Sequence, residues 1–522
     1  MKWKTLEHKG VAFSPDYEPR GFRIRLRGKT IALNPYQEEM AVAWAKKKDT
    51  PYVVDPVFAK NFIKDFLRLF PPEFKDVTIK DIDFSEIYAW IDKEKTFVLD
   101  KETKKKRAAE RKKIREELKE EHGEAKVDGQ TFDIANWMVE PPGIFMGRGK
   151  HPLRGKWKPR VYAKDITLNL GEDAQVPRGD WGQIVHDHDS MWLARWIDRL
   201  AEKEKYVWLS DAATLRQERD KTKYDKASKL SQQIEKVVNK IYKKMESKDV
   251  KERKVAIVCY LIYKLAMRVG DEKDPDEADT VGATTLRVEH VKLNGKTIEF
   301  DFLGKDSVRW QKSIELGGRD SLVYENMREF IRGKRQDELI FSGITSRNVN
   351  NFLSEIVGGL SAKVFRTYLG TEIVKNYLSS IYGKIAKSSD FVKIYHAKMA
   401  NLQAAIACNH KKAPAKNFEQ TLEKKKERLK KLQETKPKTE KQRERLKERR
   451  EKVELQLKLA ESTKDYNLGT SLRNYIDPRL IKAWADHVYL DWKKIYTSAL
   501  QRKFMWVEKE TPPWQKILVK TC

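Results

Sequence analysis

Apolar positions alternate along the first part of this chain and later fall into helical period. Within residues 1–208, Phe22-Arg23-Ile24-Arg25-Leu26-Arg27 alternates apolar and basic residues, breaks at Gly28-Lys29 and resumes as Thr30-Ile31-Ala32-Leu33, which predicts a hairpin. Short strand-like runs, Pro and Gly punctuation and many tryptophans surround it. Residues 101–122 mix both signs of charge with few apolar residues and predict a largely solvated helix. From about 209 the character changes. Val255–Met267 is apolar nearly all round, Lys264 apart, and predicts a buried helix with Gly270 placed to cap it. Its 13 residues are too few to span a bilayer. Three strands should follow. Thr284–Leu293 runs into the Asn294-Gly295 turn signal, Thr297–Leu303 puts Ile298, Phe300 and Phe302 on one face, and Gly304-Lys305-Asp306-Ser307 turns into Val308–Leu316. Helices then dominate to Pro414.

Residues 416–460 are thinner. Leu422, Leu429 and Leu432, then Leu446, Val453 and Leu457, recur at spacings of seven, four and three around an apolar-free stretch with Pro437. The pattern predicts two helices folded back as an antiparallel coiled coil, the other reading being one kinked helix or a disordered segment. Residues 461–522 form a small helical closing domain, with Tyr475-Ile476-Asp477-Pro478 just before an amphipathic helix. The expected fold is α+β and multidomain: a mixed α/β part at 1–208, a mainly helical part with a small antiparallel sheet at 209–415, a coiled-coil linker at 416–460 and a helical domain at 461–522.

The net charge is +29, with 35% charged and 40% hydrophobic residues. Cores of useful size are still possible, and the surface must be strongly positive. A polyanion is the natural partner, because each neutralised phosphate releases a condensed counterion; a merely basic soluble protein is the plainer reading. Cys259, Cys408 and Cys522 are odd in number and far apart, which supports neither a zinc ribbon nor a disulfide framework and fits a reducing, intracellular compartment. The start, Met1-Lys2-Trp3-Lys4-Thr5, has no apolar run of the signal-peptide kind.

Gly304-Lys305 lacks the earlier glycine of a phosphate-binding loop, since Glu299 stands there, so ATP use has no support. His186-Asp187-His188-Asp189 has ligand chemistry but no third cluster nearby, and reads as a polar loop; neither a metal nor a cofactor is expected. What remains are cations and a tyrosine, each with an ordinary structural use. Arg268 closes the apolar stretch and needs an anion or an ion pair with Asp271 or Glu272. Lys305 lies in a hairpin turn, where exposed lysines are common. Arg366 falls near a helix start and could be another ion-pair residue. His410 follows a helix end, where the helix dipole favours a protonated ring, and could simply cap it. Tyr475 could be a packing aromatic.

Taken together these positions carry a resemblance. The strings LAMRVGDEKD, ADTVGATTLRVEH, FDFLGKDSVR, SAKVFRTY, AIACNHKKAP and LGTSLRNYIDPRL are similar, in this order, to the eukaryotic nuclear type IB DNA topoisomerase family. WKTLEHKGVAF and EPPGIFMGRGKHP resemble its DNA-clamping cap, so the likeness covers nearly the whole chain. It implies relaxation of positive and negative supercoils without ATP or metal, through single-strand cleavage, a 3′-phosphotyrosine link, strand rotation and religation. Tyr475 would be the nucleophile. Arg268, Arg366 and His410 would bind the non-bridging oxygens of the attacked phosphate. Lys305 would protonate the leaving 5′ oxygen.

The resemblance also implies DNA contacts. Arg148 matches a residue that reaches the minor groove beside the cut, and His151 a backbone contact. Lys273, Thr280 and Lys363 match phosphate contacts, and Asp306 and Asn474 flank the cleavage site. Arg148, Asp306 and Asn474 occupy positions where camptothecin-type poisons bind in the family. The implied partner is double-stranded DNA held by a monomer, with no membrane, in the nucleoid or cytoplasm of a prokaryote or the nucleus of a eukaryote. Three departures stand out: Asp271 where the family usually has asparagine, no long basic N-terminal tail, and a shorter linker. These features fit a compact prokaryotic, archaeal relative. A tyrosine recombinase shares the Arg-Lys-His-Tyr chemistry but needs multimerising and sequence-reading elements that the chain does not display. A purely architectural DNA-binding protein would bind DNA and form no covalent adduct.

Overall fold

The computed structural model describes residues 2–97, 101–147, 149–270, 280–415 and 417–510. These fall into two compact units, one up to Arg216 and one from Gln217 onward.

The first unit mixes small sheets and helices. In chain order its elements are β1 (Leu6–His8), β2 (Arg23–Leu26), β3 (Lys29–Ala32), α1 (Pro35–Ala45), α2 (Pro56–Leu67), β4 (Ile82–Asp83), α3 (Ser85–Phe97), α4 (Lys101–His122), β5 (Glu124–Val127), β6 (Gln130–Asp133), β7 (Gly143–Ile144), β8 (Trp157–Lys158), β9 (Ile166–Asn169), β10 (Gln183–Val185), β11 (Trp192–Asp198) and β12 (Lys203–Trp208). The β2–β3 pair is the expected hairpin, turned by Arg27 and Gly28, both at positive φ. Two left-handed residues give the turn whose twist matches the strands. Strands β10, β9, β11 and β12 form a second sheet, in which only β9 and β10 run parallel. One core gathers Trp44, Phe58, Phe62 and Phe66, and another Trp3, Leu6, Leu168 and Trp196. Helix α4 has little apolar surface, and pairs such as Lys106–Glu102 and Lys112–Glu116 line its exposed face. His186 and His188 bond the backbone carbonyls of Leu170 and Trp3.

Helix α5 (Thr214–Met245), most of which belongs to the second unit, is followed by α6 (Val250–Leu265). Every residue of α6 from Val255 to Ile262 is buried, as an all-apolar helix requires. It ends earlier than the sequence pattern indicates. The cap is Ala266 at φ 54°, ψ 31°, not Gly270, and Arg268 lies beyond the helix. Gly270, at φ +79°, has another use. A Cβ there would come within 2.9 Å of Gly282, so the two glycines let the chain segments after α6 and before the sheet touch.

The sheet is antiparallel, in the order β13 (Val291–Asn294), β14 (Thr297–Gly304), β15 (Val308–Glu315). The first strand is shorter than expected. Ala283–Thr285 and Val288–His290 are single 3-10 turns, held by Ala283 N–H donating to Arg268 O and by Ile340 N–H donating to Leu286 O. Tertiary hydrogen bonds thus take the backbone groups that a longer ladder would have used. Then come α7 (Ser321–Ile331), α8 (Ser346–Ile356), α9 (Ala362–Ile385) and α10 (Asp390–Ala407), followed by α11 (Phe418–Glu434), α12 (Glu440–Thr463), α13 (Leu468–Asn474), α14 (Pro478–His487) and α15 (Ser498–Lys503). Helices α11 and α12 bury Leu422, Leu432, Leu446, Val453 and Leu457 against each other. Arg450 on α12 reaches back to donate to Leu432 O at the end of α11. A second core joins the later turns of α9 with α10 and α14 around Trp484 and Phe504. Cys259 and Cys408 are buried free thiols.

Candidate active site

Three helix ends converge in the second unit. Arg366 lies in the second turn of α9, is 5% exposed, and donates from Nη1 to Ala266 O at 2.7 Å and from Nη2 to Cys408 O at 2.9 Å. It thereby ties the end of α6 to the end of α10. Ala266 sits in the left-handed region, which costs a residue with a Cβ about 1–2 kcal/mol. The bond from Arg366 helps hold it there. Such strain is often kept where geometry serves a function.

His410 follows Asn409, which is also left-handed at φ 55°. Its backbone N–H donates to Ala405 O and its carbonyl accepts from Asn467 N–H, so it is anchored to both α10 and the segment entering α13. Arg366 Nη2 lies 3.3 Å from His410 Nε2. A guanidinium can only donate, so Nε2 accepts and the ring proton belongs on Nδ1. Burial, then the positive charges of Arg366 and Arg268, push the His410 pKa down to about 3. The ring is therefore neutral at physiological pH. This corrects the expectation that the helix dipole keeps it protonated: desolvation and two guanidinium groups outweigh a dipole effect on the order of 1 kcal/mol. His410 Nδ1 and Arg366 Nε are buried with no hydrogen-bond partner among the described residues. A buried unpaired donor costs about 1–3 kcal/mol, so each calls for an explanation.

Tyr475 caps the C-terminus of α13. Its ring stacks on His410, with centroids 5.3 Å apart, and the Arg366 guanidinium lies 4.9 Å from its centroid. Its backbone is held as well: Thr371 Oγ1 donates to Tyr475 O at 3.3 Å and accepts from Asp477 N–H at 3.1 Å.

Arg268 is half-buried, close enough to His410 to depress its pKa, and has no acidic partner among the described residues. Lys305 is exposed in the β14–β15 turn and likewise has no acidic partner among the described residues. Backbone bonds link its hairpin to the segment carrying Arg268: Val281 N–H donates to Leu303 O, and Ala283 N–H to Arg268 O. Arg366, His410 and Tyr475 are thus in direct contact, with Arg268 beside them and Lys305 on a neighbouring turn.

Of the remaining sequence candidates, Lys363 lies one turn before Arg366 and Asn474 directly before Tyr475. Lys363 is exposed in the first turn of α9, Thr280 is half-buried, and Asn474 is exposed with Nδ2 donating to Thr470 O. His151 belongs to the first unit, where its Nδ1 accepts from Leu153 N–H and its ring meets Phe145 edge-on. Arg148, Asp271, Glu272, Lys273 and the side chain of Asp306 lie outside the described residues. The sequence reading missed the residues that seat the tyrosine. Asp477 caps α14 and pairs with the buried Arg479, which also reaches Asp225. The Asp-Pro helix start was the one available signal for Asp477.

Family profiles match in succession: "Eukaryotic DNA topoisomerase I, DNA binding fragment" over residues 1–209, "Eukaryotic DNA topoisomerase I, catalytic core" over 212–443 and "C-terminal topoisomerase domain" over 447–516. DNA topoisomerase 1 beta of Arabidopsis thaliana is 36% identical over 98% of this chain and 59% of its own length. DNA topoisomerase 1 of Drosophila melanogaster is 36% identical over 97% of the chain and 54% of its own length, and that of Homo sapiens 34% identical over 97% and 71%. The chain belongs to the eukaryotic DNA topoisomerase I family, the type IB topoisomerases. It spans between about half and three fifths of the Arabidopsis and Drosophila relatives.

Proposed function

We propose that this protein is a type IB DNA topoisomerase that relaxes positive and negative supercoils without ATP or metal. The Tyr475 hydroxyl gives its proton to solvent, its oxygen forms the new bond to a backbone phosphorus, and the bond from that phosphorus to the 5′ oxygen breaks. Lys305 gives that oxygen a proton. Arg268, Arg366 and neutral His410 hold the non-bridging oxygens as negative charge builds on them. The strand is then held as a 3′-phosphotyrosine while the free 5′ end rotates, and the 5′ hydroxyl reverses the step. One phosphodiester is exchanged for another, so the bond energy is conserved and no fuel is needed.

The observation that carries this reading is the contact of the Tyr475 ring with Arg366 and His410, beside Arg268, where among the described residues neither arginine has a carboxylate partner. A cation with a carboxylate at hand is already neutralised, whereas a guanidinium without one keeps its charge for a phosphate. Residues 1–208 would form the DNA-binding cap, 209–415 the catalytic core, 416–460 an antiparallel coiled-coil linker and 461–522 the domain that delivers Tyr475. Arg148, His151, Lys273, Thr280, Asp306, Lys363 and Asn474 would contact the DNA. The protein would act as a monomer on intracellular DNA, and a camptothecin-type compound would trap the nicked complex at Arg148, Asp306 and Asn474. Among the described residues, no helix is long and apolar enough to cross a membrane.

The test uses supercoiled plasmid in EDTA without ATP, stopped with detergent. Relaxation and protein-linked nicks are expected from the wild-type chain, with DNA binding but no nicks from Tyr475→Phe. Relaxation by that variant would overturn the assignment of the nucleophile, and binding without any adduct by the wild type would leave only an architectural role.

A further inference from the structure

Strand β15 carries an anomaly in its alternation. Val308, Trp310, Lys312 and Ile314 share one face, and Lys312 stands opposite Phe300, which is 1% exposed. A lysine among apolar partners is costly unless its ammonium finds acceptors. It finds two. Lys312 Nζ donates to Leu265 O at 3.1 Å and to Ala407 O at 2.6 Å. These are the last residues of α6 and α10, whose final carbonyls have no intrahelical donor and carry the negative end of the helix dipole. Arg366 repeats the arrangement one residue further on, at Ala266 and Cys408. Two cations, one from the sheet and one from α9, therefore bind the same pair of chain ends. Immediately beyond those ends stand Arg268 and His410.

We propose that Lys312 is a positioning residue for DNA cleavage, setting the spacing between Arg268 and His410 by clamping the ends of the helices that precede them. The proposal rests on the reading of Tyr475 as nucleophile with Arg268 and His410 on the phosphate. Burial, with Arg366 and Lys411 adding to it and Cys408 opposing, pushes the Lys312 ammonium down to about 8. On its other side Lys312 lines a groove of about 370 Å³ with Glu289, His290, Lys292, Glu299 and Asp301. As pH rises through that value the ammonium discharges and the clamp loses its charge–dipole attraction.

The experiment measures single-turnover adduct formation on a nicked suicide duplex, with duplex affinity and thermal stability in parallel, for the full chain and its Lys312→Met, Lys312→Arg and Tyr475→Phe variants. Misplacing a catalytic group by about 1 Å costs on the order of 100-fold in rate, so Lys312→Met should cleave about 10- to 100-fold more slowly. Its affinity for duplex should be unchanged. Lys312→Arg keeps a charged fork and should recover most of the rate. Its rate relative to wild type should rise above pH 8, where the wild-type amine is neutral. Cleavage by Lys312→Met at the wild-type rate would overturn the proposal. So would a joint loss of affinity, stability and rate that Lys312→Arg does not repair, since that marks a merely structural lysine. Absence of adduct from the wild-type chain would instead sink the parent reading of Tyr475.

Discussion

The imidazole of His410 lies against the ring of Tyr475, planes 21° from parallel, while the edge of the same imidazole meets Arg366. One aromatic ring therefore covers two of the groups that would hold a phosphate. Burial is the largest cause of the lowered His410 pKa, and the stacked Tyr475 ring is part of what covers the imidazole.

That relationship predicts a titration. With a pKa of about 3 in the folded protein against 6.5 unperturbed, His410 binds fewer protons than the unfolded chain does between those values. Stability rises with pH wherever the unfolded state binds more protons, so this residue makes the free protein less stable as pH falls from about 6.5 toward 3. His410→Gln should flatten that part of the stability curve. In NMR of the free protein the His410 ring should show no titration down to pH 5. In Tyr475→Ala, which uncovers the ring, its pKa should move back toward the ordinary range. A midpoint near 6.5 in the wild-type protein would contradict the assignment.

Arg366 has two tasks, and its substitution should show both. Removing a donor from a developing anion costs on the order of 3–4 kcal/mol, about 10²- to 10³-fold in rate. Arg366→Ala should therefore cut adduct formation by at least that factor. It should also lower the melting temperature, because the carbonyls of Ala266 and Cys408 lose their donor in a buried place. Arg366→Lys keeps one charge but cannot reach both carbonyls and His410 with a planar fork, so its rate should recover only in part. Single-turnover cleavage and thermal melts on the three proteins check this.

Much of this arrangement was legible in the sequence, and the misses have physical causes. The β2–β3 hairpin, α4 and the α11–α12 pair follow their patterns because local turn chemistry and side-chain period dominate there. The Gly270 cap failed because Arg366, a hundred residues away in sequence, donates to Ala266 O and fixes an earlier stop. The first strand of the sheet was overextended because tertiary bonds from Ala283 and Ile340 took its backbone groups. The histidine's charge was misjudged because a helix-end rule carries no information about two arginines arriving from other elements. Recognition of the five site positions came from motif resemblance, and no single residue pattern would have picked Tyr475 out of 19 tyrosines. Lys312 was visible as a charge in an apolar register, but its two carbonyl partners lie far away in the chain.

Lys305 is exposed in the β14–β15 turn. Its loss should leave folding untouched, so Lys305→Ala should melt like the wild type and bind duplex with similar affinity. If its task is to protonate the leaving 5′ oxygen, cleavage of ordinary DNA should fall about 10²- to 10⁴-fold. A substrate with sulfur in place of that bridging oxygen needs no acid, since a thiolate leaves unaided. On that substrate Lys305→Ala and wild type should cleave at similar rates. Equal defects on both substrates would assign Lys305 to phosphate binding instead.

Gly370 sets the last test, where two opposed effects can be weighed. It lies one turn after Arg366 on α9, and a glycine inside a helix costs roughly 0.5–1 kcal/mol against alanine. On propensity alone Gly370→Ala should stabilise the protein. The space forbids it. A Cβ at Gly370 would sit 2.9 Å from the carbonyl oxygen of Tyr475 and 3.2 Å from its Cβ. The first distance is to backbone, which cannot rotate away, so α13 and its tyrosine must move. The hydrogen bond from Thr371 to the same carbonyl stretches with them. The substitution should lower the melting temperature despite the better helix former. It should also slow adduct formation at least about 10-fold, because the nucleophile shifts while Arg366 does not. Melting curves and single-turnover cleavage decide it. A variant that melts higher and cleaves normally would show that Tyr475 is not seated by this contact.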